Sequence, residues 1–189
     1  MSLINDYMNG LKGACDECIK QADVIEKIAD IIYKAYKNDK HIYIFGNGGS
    51  ATTAAHFTRD LKVGSAVKGK PKVRVEGLAD NIAVVTSIAN DVDYNSIFEL
   101  QLIDNLVEGD VVIAISCSGN SPNVIKAVEY AVGRKAVTVG ITGFGGGKLA
   151  QISGTSMVFV SKDYGQLEDI HLGLAHIISY LVKERISNG

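Results

Sequence analysis

The sequence predicts an α/β protein in which a mostly parallel sheet lies between layers of helices. Along the chain, the period of the apolar residues switches regularly between the helical and the extended spacing. Three of the predicted strands are almost continuously apolar, which is typical of strands with helices on both faces. With 189 residues, 47% of them hydrophobic, the chain is long enough for one domain and too short for two ordinary ones. We therefore expect a single domain over 1–189.

Two helices open the chain, near 2–18 and 22–37, and form a helical hairpin within 1–38. Apolar side chains recur there at helical spacing and are too many for a solvent-exposed hairpin, so we expect it to pack against another copy of the chain. They are Ile4, Met8, Leu11, Val24, Ile25, Ile28, Ile31 and Ile32.

The α/β core occupies 39–189. Strands are predicted near 41–45, 72–75, 111–115, 136–141 and 156–160. Helices fill the gaps, and a long helix near 166–186 closes the chain. Gly145-Gly146-Gly147 predicts a turn and a helix entry after the fourth strand.

Composition excludes several functional classes. A net charge of −2 and a pI near 6.1 argue against a nucleic-acid or membrane surface. The sequence shows no leader and no apolar run of the ~20 residues that a membrane helix needs, so we expect a cytoplasmic protein. Three cysteines do not make a disulfide framework, and reduced structural thiols are expected.

The first predicted strand ends in a glycine loop, Gly46-Asn47-Gly48-Gly49-Ser50. Glycines at a strand-to-helix turn allow a ligand to approach the backbone, while Asn47, Ser50 and the free N–H groups of the helix can hold an oxyanion. A dinucleotide fold is the alternative, because Gly46, Gly48 and Ala51 match the loose glycine fingerprint and Glu76 follows near the next strand. That fingerprint is weak on its own, and about forty residues precede the strand.

A second loop, Ser116-Cys117-Ser118-Gly119-Asn120-Ser121-Pro122, follows the strand at 111–115. Ser121 is a good N-cap and Pro122 a good first helical residue, so serine hydroxyls and turn amides converge on a helix N-terminus. Two such loops indicate one shared small ligand, most simply a phosphorylated one.

Candidates for chemistry lie on two helices. His56 and Asp60 are four residues apart and project from one helix face. Glu168 and His176 lie on one stripe of the last helix, with His171 turned away by about 140° from His176. Each histidine has an ordinary interpretation as a core or interface residue, and Glu168 as a first-turn acid. Together the four side chains can form an acid/base set or ligands for a divalent metal such as zinc.

The chain resembles the sugar isomerase (SIS) domain family, and within it the isomerases of seven-carbon sugar phosphates. The motifs that carry the resemblance run in order over nearly the whole chain: Gly46 to Ser50, His56-Phe57, Ala89-Asn90-Asp91, Ile115 to Ser121, Thr142-Gly143, His171 and His176. The resemblance implies a five-stranded parallel sheet of flavodoxin-like type, a homotetramer with active sites between subunits, and no nucleotide cofactor. It also implies conversion of sedoheptulose 7-phosphate to D-glycero-D-manno-heptose 7-phosphate, the first step toward activated heptoses.

The resemblance also implies a role for individual residues. It places Asp60 as the catalytic base and His176 as the acid, and assigns a zinc site to His56, Asp60, Glu168 and His176. Phosphate is expected on Ser50, Ser116, Ser118 and Ser121, and the sugar near Asn47 and Asp91. The remaining expected substrate-binding residues are Gly48, Gly49, Asn90, Cys117 and Glu168.

Three positions depart from the family pattern. The usual glutamate is Asp60, the usual glutamine is Glu168, and a basic residue that is common four positions after the carboxylate is Gly64. Some SIS-domain proteins keep the sugar-phosphate pocket without catalysis, as sensors or as partners of the bacterial replication initiator. A non-catalytic regulator is therefore the alternative to an isomerase.

Overall fold

A computed structural model describes residues 2–189 as one five-stranded sheet covered by helices. All four strand pairings are parallel, and the strand order is β2-β1-β3-β4-β5. The strands are β1 Ile42–Gly46, β2 Val75–Gly77, β3 Val111–Ser116, β4 Val137–Thr142 and β5 Thr155–Val158. The predicted fold class is confirmed.

Eight α-helices surround this sheet: α1 Leu3–Lys20, α2 Ala22–Lys37, α3 Gly49–Arg59, α4 Ile82–Asp91, α5 Glu99–Leu102, α6 Pro122–Gly133, α7 Gly147–Ile152 and α8 Tyr164–Asn188. A π-helical turn, Asp60–Gly64, extends α3, and a 3-10 turn, Tyr94–Ser96, follows α4. The N-terminal hairpin, the helix entry after the glycines and the closing helix all match the predicted positions within a few residues. Within residues 2–189, no helix combines the length and the apolar composition that a membrane crossing requires.

Alternate residues of two interior strands, β1 and β3, pack into two separate cores. On one face, Ile44 and Ile113 pack with α2, α3 and α8, and on the other face, Phe45 and Ala114 pack with α6 and α7. Because side chains alternate across a strand, a strand buried on both faces must be apolar throughout. The six residues of β3 are all buried, which explains the continuous apolar runs in the sequence.

Two strands, β2 and β5, differ from their predicted bounds by more than one residue. β2 is predicted near 72–75 but spans Val75–Gly77, because β1 begins at Ile42 and Ile42 pairs with Val75. β5 is predicted near 156–160 but ends at Val158. Beyond Val158, a side chain of the N-terminal hairpin replaces a neighbouring strand as the backbone's hydrogen-bond partner: Glu17 accepts a hydrogen bond from the Val160 amide at 2.9 Å.

The strand order positions the functional site. β1 has β2 on one side and β3 on the other, so the chain changes direction across the sheet between β1 and β3. In open parallel sheets, the loops at the carboxyl ends of two such strands separate and leave a crevice that binds ligands. Both polar loops singled out in the sequence begin at these two strand ends.

Candidate active site

A cavity of about 280 Å³ lies at the carboxyl ends of β1 and β3. Its walls come from the β1 loop, the β3 loop and the first turns of α8. The lining residues are Asn47, Gly48, Gly49, Ser50, Ser116, Cys117, Ser118, Ser121, Tyr164 and Glu168. All of these except Tyr164 are residues that the sequence predicts for substrate binding.

The β1 loop needs its glycines for two different reasons. Gly48, the N-cap of α3, has a φ of 54°, in the left-handed region that favours glycine. Gly49 lies directly against the Glu168 carboxylate, which occupies the space that a Cβ would take. The loop therefore brings the amino end of α3 and the carboxylate of α8 to the same wall of the cavity.

The β3 loop presents hydroxyl groups at the start of α6. Ser121 is the N-cap and Pro122 the first helical residue, as predicted, but the Ser121 hydroxyl lies 3.3 Å from that of Ser116 and makes no cap hydrogen bond. The loop rests on the glycine turn after β4: Gly119 accepts the Leu149 amide at 2.9 Å. Among the described residues lining the cavity, none is lysine or arginine, so an anion there would be held by hydroxyls and amides.

Cys117 forms an inert part of the wall. Burial raises the pKa of its thiol and the Glu168 charge adds to that rise, while a contact from the Ser50 hydroxyl at 3.8 Å opposes it. The thiol is therefore protonated at neutral pH and is a poor nucleophile. This agrees with the expected structural role.

His56, Asp60 and His176 meet where α3 and α8 pack together. Asp60 is 6% exposed and starts the π-helical turn, a distortion that is frequent at functional sites. The Nε2 atoms of His56 and His176 are 2.9 Å apart, and they lie 3.3 Å and 3.6 Å from Asp60 Oδ2. The second oxygen of Asp60 accepts a hydrogen bond of 2.6 Å from Arg59.

These three side chains form a possible metal-binding triad, with ligand atoms all within 4.8 Å of one another. Ligands about 2.0–2.1 Å from a tetrahedral zinc ion are about 3.3 Å apart, and the observed separations of 2.9, 3.3 and 3.6 Å scatter around that value. Half-exposed imidazoles and a buried carboxylate are suitable donors for such an ion.

Glu168, the fourth predicted metal ligand, is not part of this triad. It is eight residues before His176 on α8, about 12 Å along the helix axis, and it lines the cavity. Asn90 and Asp91 also lie outside the cavity lining of a single chain. They are exposed at the end of α4, where the Asn90 amide donates to Asp91 at 2.8 Å.

Sequence reasoning missed three residues of this region: Tyr164, Asn123 and Tyr94. Tyr164 lies one turn before Glu168 and packs against Phe144, with ring centroids 5.0 Å apart. Asn123 and Tyr94 both hydrogen-bond to Asn47. Only Asn123 carried a sequence signal, since it directly follows Pro122 in the loop motif.

The fold and the cavity define a class of α/β protein with a polar crevice at the switch point of a parallel sheet. The chain belongs to the SIS domain family, whose sequence model matches residues 6–143. Among its curated relatives are phosphoheptose isomerases from Aneurinibacillus thermoaerophilus and Thermodesulfovibrio yellowstonii. The first is 36% identical over 86% of this chain and 82% of the relative, and the second 38% identical over 85% and 80%.

Solved structures agree with this assignment at the level of the fold. A phosphoheptose isomerase from Neisseria gonorrhoeae superposes with a TM-score of 0.87 at 24% identity, covering 96% of this chain and 97% of that one.

Proposed function

We propose that the protein is an aldose-ketose isomerase that converts sedoheptulose 7-phosphate to D-glycero-D-manno-heptose 7-phosphate. Similarity to phosphoheptose isomerases over most of the chain supports this proposal. The observation that carries it is the placement of the cavity and of the His56, Asp60 and His176 triad along the same two helices, α3 and α8. Ser50 and His56 are six residues apart on α3, about 9 Å along its axis, which suits a long ligand with phosphate at one end and its reacting carbons at the other.

The reaction moves one proton between neighbouring carbons. Asp60 removes the proton from C1 of the open-chain ketose and leaves a cis-enediolate; His176 is the acid that returns a proton at C2, while the oxygen protons are redistributed. The buried carboxylate and the half-exposed imidazole lie 3.6 Å apart, so both can reach one pair of carbons. The phosphate, held by the serines of the β3 loop, fixes the position of the sugar's carbon chain.

Zinc is the metal that we propose for the triad of His56, Asp60 and His176. Bound there, it would act as a Lewis acid toward the sugar oxygens and would lower the demand on the base. The donor set of two imidazoles and one carboxylate is typical of catalytic zinc sites that keep a position open. Asp60 is then a metal ligand, a base, or both.

We further propose a homotetramer, because two apolar surfaces are uncovered in a single chain. The first is a groove of about 360 Å³ between α1, α2 and α8, with walls that include Cys18, Ile19 and Ile177. The second is α4, which is rich in apolar residues and has no fully buried one. Packing of α4 against a second copy would also carry Asn90 and Asp91 to an interface.

Proton exchange separates an isomerase from a regulator. The protein is incubated with sedoheptulose 7-phosphate in deuterium oxide, and deuterium at C1 and the aldose product are followed by NMR. We expect Asp60→Asn to abolish exchange while sugar-phosphate binding is nearly intact if Asp60 is mainly a base. If it is mainly a ligand, metal content and turnover should fall together.

The controls make the outcome decisive. His176→Gln should stop isomerisation in either case, and Asp104→Asn, at an exposed position with a φ of 64° that asparagine tolerates, should leave it unchanged. Full activity of Asp60→Asn or His176→Gln would refute the assignment. Binding of the sugar phosphate by the wild-type protein without any exchange would favour the regulator.

A further inference from the structure

The amide side chain of Asn47, in the wall of the cavity, is held by two residues outside it. Its Nδ2 donates to Asn123 Oδ1 at 2.8 Å, and its Oδ1 accepts from Asn123 Nδ2 at 3.0 Å. The hydroxyl of Tyr94 lies 3.1 Å from the same Oδ1. The two asparagines are thus paired face to face, 76 residues apart in the chain.

The backbone fixes the direction of this pairing. Asn123 is 1% exposed and follows Pro122 at the start of α6, where its Oδ1 also accepts the amide hydrogen of Val124 at 2.9 Å. A backbone N–H can only donate, so the Asn123 atom facing it must be the oxygen, and its nitrogen must face Asn47. The orientation of Asn47 follows, because its oxygen must face that nitrogen.

Counting the groups of Asn47 shows what remains for a ligand. A primary amide has two acceptor lone pairs and two N–H donors. Asn123 and Tyr94 occupy both lone pairs, and Asn123 takes one N–H. The second N–H is the group left for the cavity. Asn47 therefore offers a donor to a ligand, and no acceptor.

We propose that Asn123 and Tyr94 are positioning residues that hold Asn47 as a hydrogen-bond donor to an oxygen of the bound sugar. This deepens the proposed function, on which it rests: the oxygen that gains charge in an enediolate is the acceptor best matched to a fixed N–H. The pairing also ties the β1 loop to the start of α6, so the donor keeps its place relative to the serines that hold the phosphate.

Kinetics and side-chain NMR test the proposal on the intact protein. In the wild-type protein labelled with ¹⁵N, one Asn47 amide proton should shift when sedoheptulose 7-phosphate binds and not when inorganic phosphate binds. We expect kcat to fall about 10- to 100-fold in Asn47→Asp, the effect of losing one hydrogen bond to a charged group. Asn123→Asp keeps both acceptor contacts and removes the donor to Asn47, and Tyr94→Phe removes the other donor.

Both of these variants should lower kcat at saturating substrate, by about tenfold for Asn123→Asp and by severalfold for Tyr94→Phe. The thermal midpoint of Tyr94→Phe should stay near the wild-type value because Tyr94 is exposed, whereas that of Asn123→Asp should fall because a carboxylate replaces a buried amide. The added charge of Asn123→Asp can also weaken phosphate affinity, so inorganic phosphate binding is measured separately and kcat decides. Asn105→Asp, exposed and remote from the cavity, is the matched control. Wild-type kcat in Asn123→Asp and Tyr94→Phe, or no response of either Asn47 proton to the sugar phosphate, would overturn the proposal. Absence of turnover in the wild-type protein would reject the isomerase alone, because the amide response to bound sugar phosphate still decides this inference.

Discussion

At the scale of single residues, the β3 loop makes a direct prediction about phosphate. Ser118 lines the cavity, and its hydroxyl accepts the Asn120 amide at 3.2 Å, which leaves its own proton for an anion. Ser118→Ala should weaken sugar-phosphate binding by about 1.5–3 kcal/mol, the value of a hydrogen bond to a charged group. Isothermal titration checks this, with Ser187→Ala, exposed near the end of α8, as the matched control. Unchanged affinity in folded Ser116→Ala and Ser118→Ala proteins would place the phosphate elsewhere.

Single residues also show which parts of the site a sequence can predict. Ser50, Ser116 and Ser121 were predictable because each stands in a polar loop directly after a buried strand, and the fold places such loops together. The pairing of Asn47 with Asn123 was not, since no local pattern marks a hydrogen bond between residues 76 apart. Glu168 was predicted both to bind the substrate and to bind the metal; it lines the cavity but lies outside the triad, because helical spacing gives the face of a residue and not its partner.

At the scale of elements, α8 carries a buried titratable group that the reaction does not use. His171 is 1% exposed, packs against Phe159, and makes no hydrogen bond of good geometry through either ring nitrogen. Burial lowers its pKa to about 4, and the Thr142 backbone opposes this only in part. Between pH 6.5 and 4 the unfolded chain therefore binds a proton that the folded chain does not.

The stability that depends on neutral His171 should be lost as the pH falls through this range. The expected loss in the free energy of unfolding is about 3 kcal/mol, from the difference between the two pKa values. His171→Leu removes the group that titrates and fills a similar volume, so its urea midpoint should fall less between pH 7 and pH 4.5 than that of the wild-type protein. Parallel pH profiles of the two proteins would contradict this account of α8.

The boundaries of elements were less predictable than their existence. Apolar periodicity located every strand, but it did not give the bounds of β2 and β5. The start of β2 and the end of β5 depend on which residues of other elements pair with their backbone. β2 starts only where Ile42 is available, and Glu17 of α1 binds the Val160 amide beyond β5. Both effects come from residues far away in the chain, so no window of local sequence contains them.

At the scale of the whole molecule, the parallel sheet and its helix layers follow from the sequence, whereas the single chain leaves apolar side chains of the hairpin exposed. Strands that are apolar on both faces require two helix layers, and both are present. The hairpin is different: of the eighteen residues of α1, only Ala14 and Cys18 are buried. Ile4 is 73% exposed, and so is Ile19. Exposed apolar side chains in such a cluster mark an interaction surface.

A second copy of the chain is the occupant that we expect for this surface, and assembly can be measured. Light scattering at micromolar concentration should give the mass of a tetramer. Ile19→Glu should lower that mass, because a charge in the apolar groove between α1, α2 and α8 has no partner when the interface closes. Since Ile19 is largely exposed in the single chain, the variant should keep its fold by circular dichroism. Val132→Glu, at an exposed site on α6, is the control and should remain a tetramer. A monomeric wild-type protein would reject the assembly, and it would leave Asn90 and Asp91 without a route to an active site shared between subunits.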